Sequence, residues 1–320
     1  MSDKNHAVTL KEWANIAIAK HTRKTFKYED GVLQDQDSEE LHQMRVGMRR
    51  LRSAISGLAV ALVLPKTVTE KNIAKIGRSL GNLRDLDVLL AILKDDYRPL
   101  LSAKEQKSLD KVIQSLKEQR HKELKQVRKT LNSKLYLRLQ QELNNWLEKP
   151  KYKTIGDCSI YPLLPDLLLP QVSQLLLHPG WLVGVEIKAG QIQFPQMPNK
   201  ETVEQLLVQE DVWLHELRKL AKKTRYNLEL FSQLYDDTYH YYLAQVEQIQ
   251  EVLGQIQDAH VLKEVLEKVL KSPIADRMPE LAELLLKERS QKWREWQILQ
   301  QQFLENKTRI ELRQAIQQPV

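Results

Sequence analysis

A single cysteine, Cys158, stands among 320 residues. That excludes an intrachain disulfide and any metal site built on several thiolates. Glycine is scarce, at 10, which argues against a strand-and-turn architecture. No apolar run approaches the roughly 20 residues of a membrane-spanning helix. The most apolar stretch, 161–185, is broken by Pro162, Pro165, Asp166, Pro170 and Pro179. The leading MSDKNHAVTLKEW has no apolar segment of the signal-peptide kind, so a reducing cytoplasm is the expected setting. There is no GxxxxGK[ST] phosphate loop and no sequence-adjacent His-Asp dyad. Cys158 and His178 have no partner spacing that suggests a metal. Neither a metal, a cofactor nor a catalytic residue is expected.

What remains is Leu, Gln, Glu, Lys and Arg, the composition of long helices. The net charge is +7, which favours polyanionic partners. A merely basic protein would show the same total, so the placement of the charge has to decide.

Leu41–Arg52, LHQMRVGMRRLR, decides it. On a helix, His42, Arg45, Arg49 and Arg52 fall on one stripe, with Arg50 to one side. No acid interrupts them. Leu214–Arg225, LHELRKLAKKTR, repeats the pattern with His215, Arg218, Lys222 and Arg225, and with Lys223 at the place of Arg50. The two stretches superpose on a shift of 173 residues. The same shift, without a gap, lays Leu80-Gly81 on Leu253-Gly254 and Asp85 on Asp258. Between the stripe and this LGxxxD patch only Ile76 and Ile249 match. A solvated charged face drifts, whereas these copies keep their cations while their surroundings diverge. A duplicated two-helix unit is the reading that follows. Glycine inside a helix needs a reason, and close helix approach supplies one. Asp85 and Asp258 are expected to orient arginines of the stripe.

Spacing predicts helices from Thr9 to Tyr28, with a Thr9/Glu12 capping box, and from Ser38 to Pro65. Others run from Thr69 to Pro99, from Ser102 to Leu131, and over 136–147. An acidic loop is expected over Glu29–Asp37. A short helix at 163–177 and a hairpin across Ala189-Gly190 fall in a connector, 151–199, between a first domain, 1–150, and a second, 200–320. Helices resume over 202–235 and 239–271, and a last one runs from Asp276 or Pro279 to the end. His121, Lys125 and Arg128 are candidates to extend the basic lining. The tryptophans Trp13, Trp146, Trp213, Trp293 and Trp296 read as core or interface.

HQMRVGMRRLR followed by LGNLRDLDVLL closely resembles the CHAD family, the conserved histidine α-helical domain. HELRKLAKKTRY, LGQIQDAHVL and RHKELKQVRKTLNSKLYLRLQQELNNWL fit the same pattern. The resemblance covers about residues 10–150 and 200–315. It implies an all-α fold of two pseudo-symmetric antiparallel helical bundles, with the basic helices lining a central cavity. It also implies non-catalytic binding of inorganic polyphosphate by His42, Arg45, Arg49, Arg50, Arg52, His215, Arg218, Lys222, Lys223 and Arg225. Family members are associated with polyphosphate granules. Lys222 and Lys223 depart from the family's arginines and give a weaker bidentate grip, and 151–199 matches no family motif. Two other readings use the same cations. One is nucleic-acid binding, against which stand the absence of interleaved aromatics and of any base-reading motif. The other is a phosphoanhydride-processing enzyme with His42 or His215 as phosphoryl acceptor or base.

Overall fold

The computed structural model describes residues 8–195 and 199–320. Residues 1–7, which open the expected first domain, and 196–198, which close the expected connector, lie outside the described residues. Thirteen α-helices are seen among the described residues: α1 (Leu10–Phe26), α2 (Glu29–Gln34), α3 (Ser38–Gly57), α4 (Glu70–Ala91), α5 (Ala103–Leu131), α6 (Lys134–Glu148), α7 (Leu164–Leu176), α8 (Lys200–Gln209), α9 (Asp211–Phe231), α10 (Asp237–Leu270), α11 (Ile274–Arg277), α12 (Pro279–Leu304) and α13 (Asn306–Gln317). The described strands, β1 (Glu186–Lys188) and β2 (Gln191–Gln193), form one exposed antiparallel hairpin. Its turn sets Ala189 and Gly190 at φ 50° and 76°. The fold class is therefore all-α. No described helix is long and apolar enough to cross a membrane.

The capping rules hold locally. Thr9 and Glu12 form the reciprocal box that opens α1, and Thr69 and Ser133 cap α4 and α6. Helix α3 starts at Ser38 as expected, capped by Asp37, which accepts from the Glu39 N–H. Several expected boundaries are corrected. Helix α3 stops at Gly57, short of Pro65. The expected acidic loop contains α2, closed by Asp35 in the left-handed region at φ 57°. The third helix leaves α geometry at Ile92, where a π-helical turn to Tyr97 and a 3₁₀ turn to Leu100 follow. The 202–235 stretch divides at Glu210 into α8 and α9, and the last helix divides into α11, α12 and α13.

The chain forms two compact units. The first holds residues 1–99 and 113–163, the second 100–112 and 164–320. This differs from boundaries at 150 and 200, and 151–199 is not a separate connector. Backbone pairing explains why. Leu62 bridges to Tyr152 and Thr9 to Ser159, and Leu10 N–H donates to the Cys158 carbonyl at 3.0 Å. These bonds stitch 151–160 onto the first unit. Beyond Leu163, α7 packs on α9 and α13 of the second.

In the first unit α1 packs on α3 and α6, and α3 on α4. Gly47 lets α3 close on α1: a Cβ there would sit 2.8–2.9 Å from Thr25, backbone included. Leu10, Ile18, Met44, Leu51, Ile76, Leu80 and Leu139 are fully buried between these helices. In the second unit α10 packs on α9 and α12, and the buried Trp181 stacks on Trp296 and Phe303 of α12. The buried Glu105 carboxylate accepts from the Glu280 and Leu281 N–H groups at 2.8 and 3.1 Å. It thereby caps α12 with negative charge and ties 100–112 to the second unit.

Arg120 anchors the first unit. It forks onto both oxygens of Asp35 at 2.7 and 2.8 Å and reaches Asp87 with Nε at 2.6 Å. The Asp87 side chain is only 7% exposed. Removing the cation strands a carboxylate out of water. Arg120→Ala is therefore expected to cost about 3 kcal/mol of stability in urea unfolding at neutral pH. The loss should shrink in acid, where the carboxyls are neutral.

Candidate functional site

The basic stripe of α3 exists because the other face of that helix is apolar. Leu41, Met44, Met48, Leu51 and Ile55 recur at three- and four-residue spacing and are buried. His42, Arg45, Arg49 and Arg50 are left half-buried at the margin of that face, and Arg52 is exposed. Helix α9 repeats the arrangement: Leu214, Leu217, Ala221 and Thr224 go inside, His215, Arg218, Lys222 and Arg225 are half-buried, and Lys223 is exposed.

Each stripe then meets the following helix of its own unit in the same way. In the first unit Arg45 Nη2 lies 3.3 Å from Asp85 Oδ1, and in the second Arg218 Nη2 lies 3.3 Å from Asp258 Oδ1. Both arginine side chains are 24% exposed, against 70% and 66% for the carboxylates. The distance is long for a charge-assisted bond. Between each pair lies the glycine of LGxxxD. The close helix approach expected at these glycines is not what the structure has. What faces Gly81 is Arg45, and what faces Gly254 is Arg218. Glycine inside a helix costs about 1 kcal/mol against alanine, and here the missing side chain leaves room for a guanidinium.

The outer members of the stripes behave differently. Arg52 Nε reaches Glu70 at 3.1 Å, with both side chains about half exposed. The Arg225 side chain is 15% exposed and contacts Glu229 at 2.9 Å and Glu247 at 2.8 Å. It also donates to Gln250 and lies over the Tyr226 ring at 5.3 Å. So Arg225 acts as a lock between α9 and α10.

Both stripe histidines are harder to protonate than usual. Burial lowers the pKa of His42 from 6.5 and Arg84 lowers it further; Glu39 pulls the other way, and Arg45 and Arg49 add smaller lowering effects. Burial does the same for His215, with Lys219 and Arg218 adding to it against Asp211 and Glu216. Arg84 and Lys219 are thus close neighbours that the stripe pattern missed. Arg84 carried a signal, standing three residues after Gly81 and so on its face of α4. Lys219 had none, because its counterpart on the 173-residue shift is Val46.

On α5 the candidate residues differ in exposure. His121 and Lys125 are exposed, and Arg128 Nε donates to the Leu33 carbonyl at 2.8 Å. Arg120 holds Asp35 below the usual carboxylate range, and Arg128 and His121 add to that effect. Those two therefore sit at the end of α2. Arg120, between better-advertised neighbours, is the residue that sequence reasoning passed over. Asp87, its second partner, is replaced by His260 on the 173-residue shift, where a 3.6 Å approach to Glu264 is found instead.

The fold and these sites define a class: an all-α protein whose two units each carry a histidine-led cationic helix, steered by the carboxylate of the next helix. The chain belongs to the CHAD domain family, whose family model matches residues 16–267. No curated relative matches it. Among solved structures it is similar to the CHAD domain from the plant Ricinus communis, at 23% identity and a TM-score of 0.57, over 98% of this chain and 94% of that one. It is also similar to PptA from Streptomyces chartreusis, at 13% identity and a TM-score of 0.61, over 97% of this chain and all of the other. At these identities the likeness is one of fold.

His21, beside the α3 cations, sets an acid limit on the first unit. Burial, with Arg50, Lys20 and Lys24, lowers its pKa to about 4. The unfolded chain binds this proton near 6.5, whereas the folded chain waits until about 4. Stability is therefore full above 6.5 and is lost as pH falls through that window, by up to about 3 kcal/mol. His21→Leu should flatten stability against pH between 6.5 and 4, as read by urea midpoints.

Proposed function

We propose that this chain binds inorganic polyphosphate and performs no chemistry on it. The observation that supports the reading is the repetition, in both units, of one arginine placed against a glycine and steered by an aspartate. A histidine and further cations stand on the same helix. Polyphosphate carries a charge on every unit. A helix presents same-face side chains about 5.4 Å apart, and arginine forks give paired bonds to non-bridging oxygens. Asp85 and Asp258, the carboxylates of the LGxxxD patches, are engaged with arginine.

The duplicated architecture with a basic cavity, and the cytoplasmic, granule-associated setting, belong to this proposal as expectations. If both stripes act on one polymer, a long chain binds one per protein and loss of either stripe weakens the same event. Two polymers per protein would separate the stripes. Arg225, 15% exposed and held by both Glu229 and Glu247, contributes less than Arg218, which meets Asp258 at 3.3 Å.

Titration with labelled polyphosphate tests the reading. Arg45→Ala with Arg218→Ala should weaken binding about 100-fold, the loss of two charge-assisted contacts. The logarithm of the affinity should fall linearly with the logarithm of the salt concentration, as counterion release requires. Unchanged affinity in the double variant would remove the stripes from the mechanism. Preference for single-stranded RNA or duplex DNA at matched charge would favour a nucleic-acid binder, and turnover of polyphosphate with Mg²⁺ or Mn²⁺ would favour an enzyme.

The pH dependence has a definite sign. A bound polyanion raises the pKa of His42 and His215, so binding takes up protons and tightens as pH falls. Because both free values lie below 6.5, the gain continues to below pH 6.5, and it levels off only once the free histidines are themselves protonated. His42→Gln with His215→Gln should remove that gain, read as the polyphosphate dissociation constant from pH 8 to pH 5.

A further inference from the structure

Gly81 and Gly254 carry an inference that rests on the polyphosphate reading and goes one step deeper. A Cβ placed on Gly81 would have only Arg45 within 4 Å, with Nε at 3.5 Å and Nη2 at 3.8 Å. A Cβ on Gly254 would have Arg218 as its three nearest atoms, with Nε and Nη2 at 3.3 Å and Cζ at 3.5 Å. In both places the neighbour that the absent side chain would meet is a guanidinium, in ordinary contact at 81 and in tighter contact at 254. Gly77, one turn earlier in α4, is different: a Cβ there would meet nothing within 4 Å.

We propose that Gly81 and Gly254 are positioning residues for phosphate binding. Each leaves a gap in the side chains of its helix, into which the arginine of the preceding helix turns the Nε–Nη2 edge of its guanidinium, within reach of the aspartate one turn on. The gap and the aspartate together limit the orientations open to the fork. A planar donor held in one orientation loses less freedom when it binds, so a fixed fork binds more tightly than the same charge on a free stem. Buried Gly81 and Gly254 are covered by the arginines themselves, which is why the helices α4 and α10 tolerate them. The seats are unequal. Alanine at 81 would make an ordinary contact with Arg45, whereas alanine at 254 would push Arg218 by a few tenths of an ångström.

The test uses the full chain, inorganic polyphosphate as ligand, and arginine Nε–H signals by NMR as a second readout independent of ligand. In the pair Gly81→Leu with Gly254→Leu, the slow-exchanging Nε–H signals of Arg45 and Arg218 should be lost. Polyphosphate affinity should fall about tenfold, the loss of roughly one net charge-assisted bond, and the salt slope should shrink. Gly77→Leu should leave all three unchanged. Should the leucine pair fail to fold, single alanine variants decide, with Gly254→Ala weakening binding more than Gly81→Ala. Unchanged signals in the leucine pair overturn the proposal, and so do lost signals with full affinity. Equal affinity of both alanine variants with the parent protein overturns it too. Signals lost in the leucine pair of a parent that binds no polyphosphate keep the seat and remove the polyphosphate reading instead.

Discussion

An arginine turned toward a glycine of the next helix and met there by an aspartate is the contact on which both units' sites are built. Its contribution to stability is small. The carboxylates are 70% and 66% exposed and the gap is 3.3 Å, and ion pairs of that kind are worth about 0–1 kcal/mol. The helix-interior glycine beside each pair costs about 1 kcal/mol, so glycine and pair together gain nothing in stability. A contact that gains nothing there and yet occurs in both units is better understood as holding a side chain still. An arginine carries about 2 kcal/mol of rotamer entropy, and whatever part the protein removes in advance, a ligand does not have to remove again.

The residues around these contacts differ between the units. In the first, Arg120 joins α2 to α4 through Asp35 and Asp87. In the second, His260 stands at the place of Asp87, and Arg225 takes the locking part, bound to Glu229 and Glu247. Arg52, its partner on the 173-residue shift, makes a looser, half-exposed pair with Glu70. So the two units hold their helices by different devices while placing Arg45 and Arg218 alike. Packing has many solutions, whereas a fork turned toward a glycine beside a carboxylate one turn on has few. That difference is the physical ground for separating the inner cations, Arg45 and Arg218, from the outer pair, Arg52 and Arg225.

Much of this was readable from spacing. The capping box at Thr9, the apolar stripes of α3 and α5, and the alignment of Gly81 with Gly254 are local patterns. What was not readable depends on distant residues. Helix α2 carries too few apolar positions to announce itself. It is held by Tyr136 and Gln140 donating to Glu29, by Arg128 on the Leu33 carbonyl and by Arg120 on Asp35. The breaks at Glu210 and Glu305 have neither proline nor glycine at the break. The second is secured by Arg309, which donates to the Phe303 and Leu176 carbonyls at 2.8 Å. The glycines of LGxxxD were noticed, but their neighbour was misjudged. A sequence shows that a side chain is missing and not which group uses the space. Gly47, where α3 does close on Thr25, has Leu220 at its place on the 173-residue shift, so the repeat does not single it out.

The histidines that lead both stripes gain a narrower role from their surroundings. Burial and neighbouring cations hold His42 and His215 below the ordinary histidine value, so neither belongs to the resting positive charge at neutral pH. That charge is carried by arginine and lysine. A neutral imidazole donates one hydrogen bond and accepts another, so it spaces and orients. It becomes a cation only when a nearby anion stabilises the added proton. A stripe built this way attracts phosphate through groups whose charge does not vary with pH, and it holds its histidine in reserve. Binding then carries proton uptake with it, because the electrostatic cost that keeps the imidazole neutral is the one an incoming polyanion relieves.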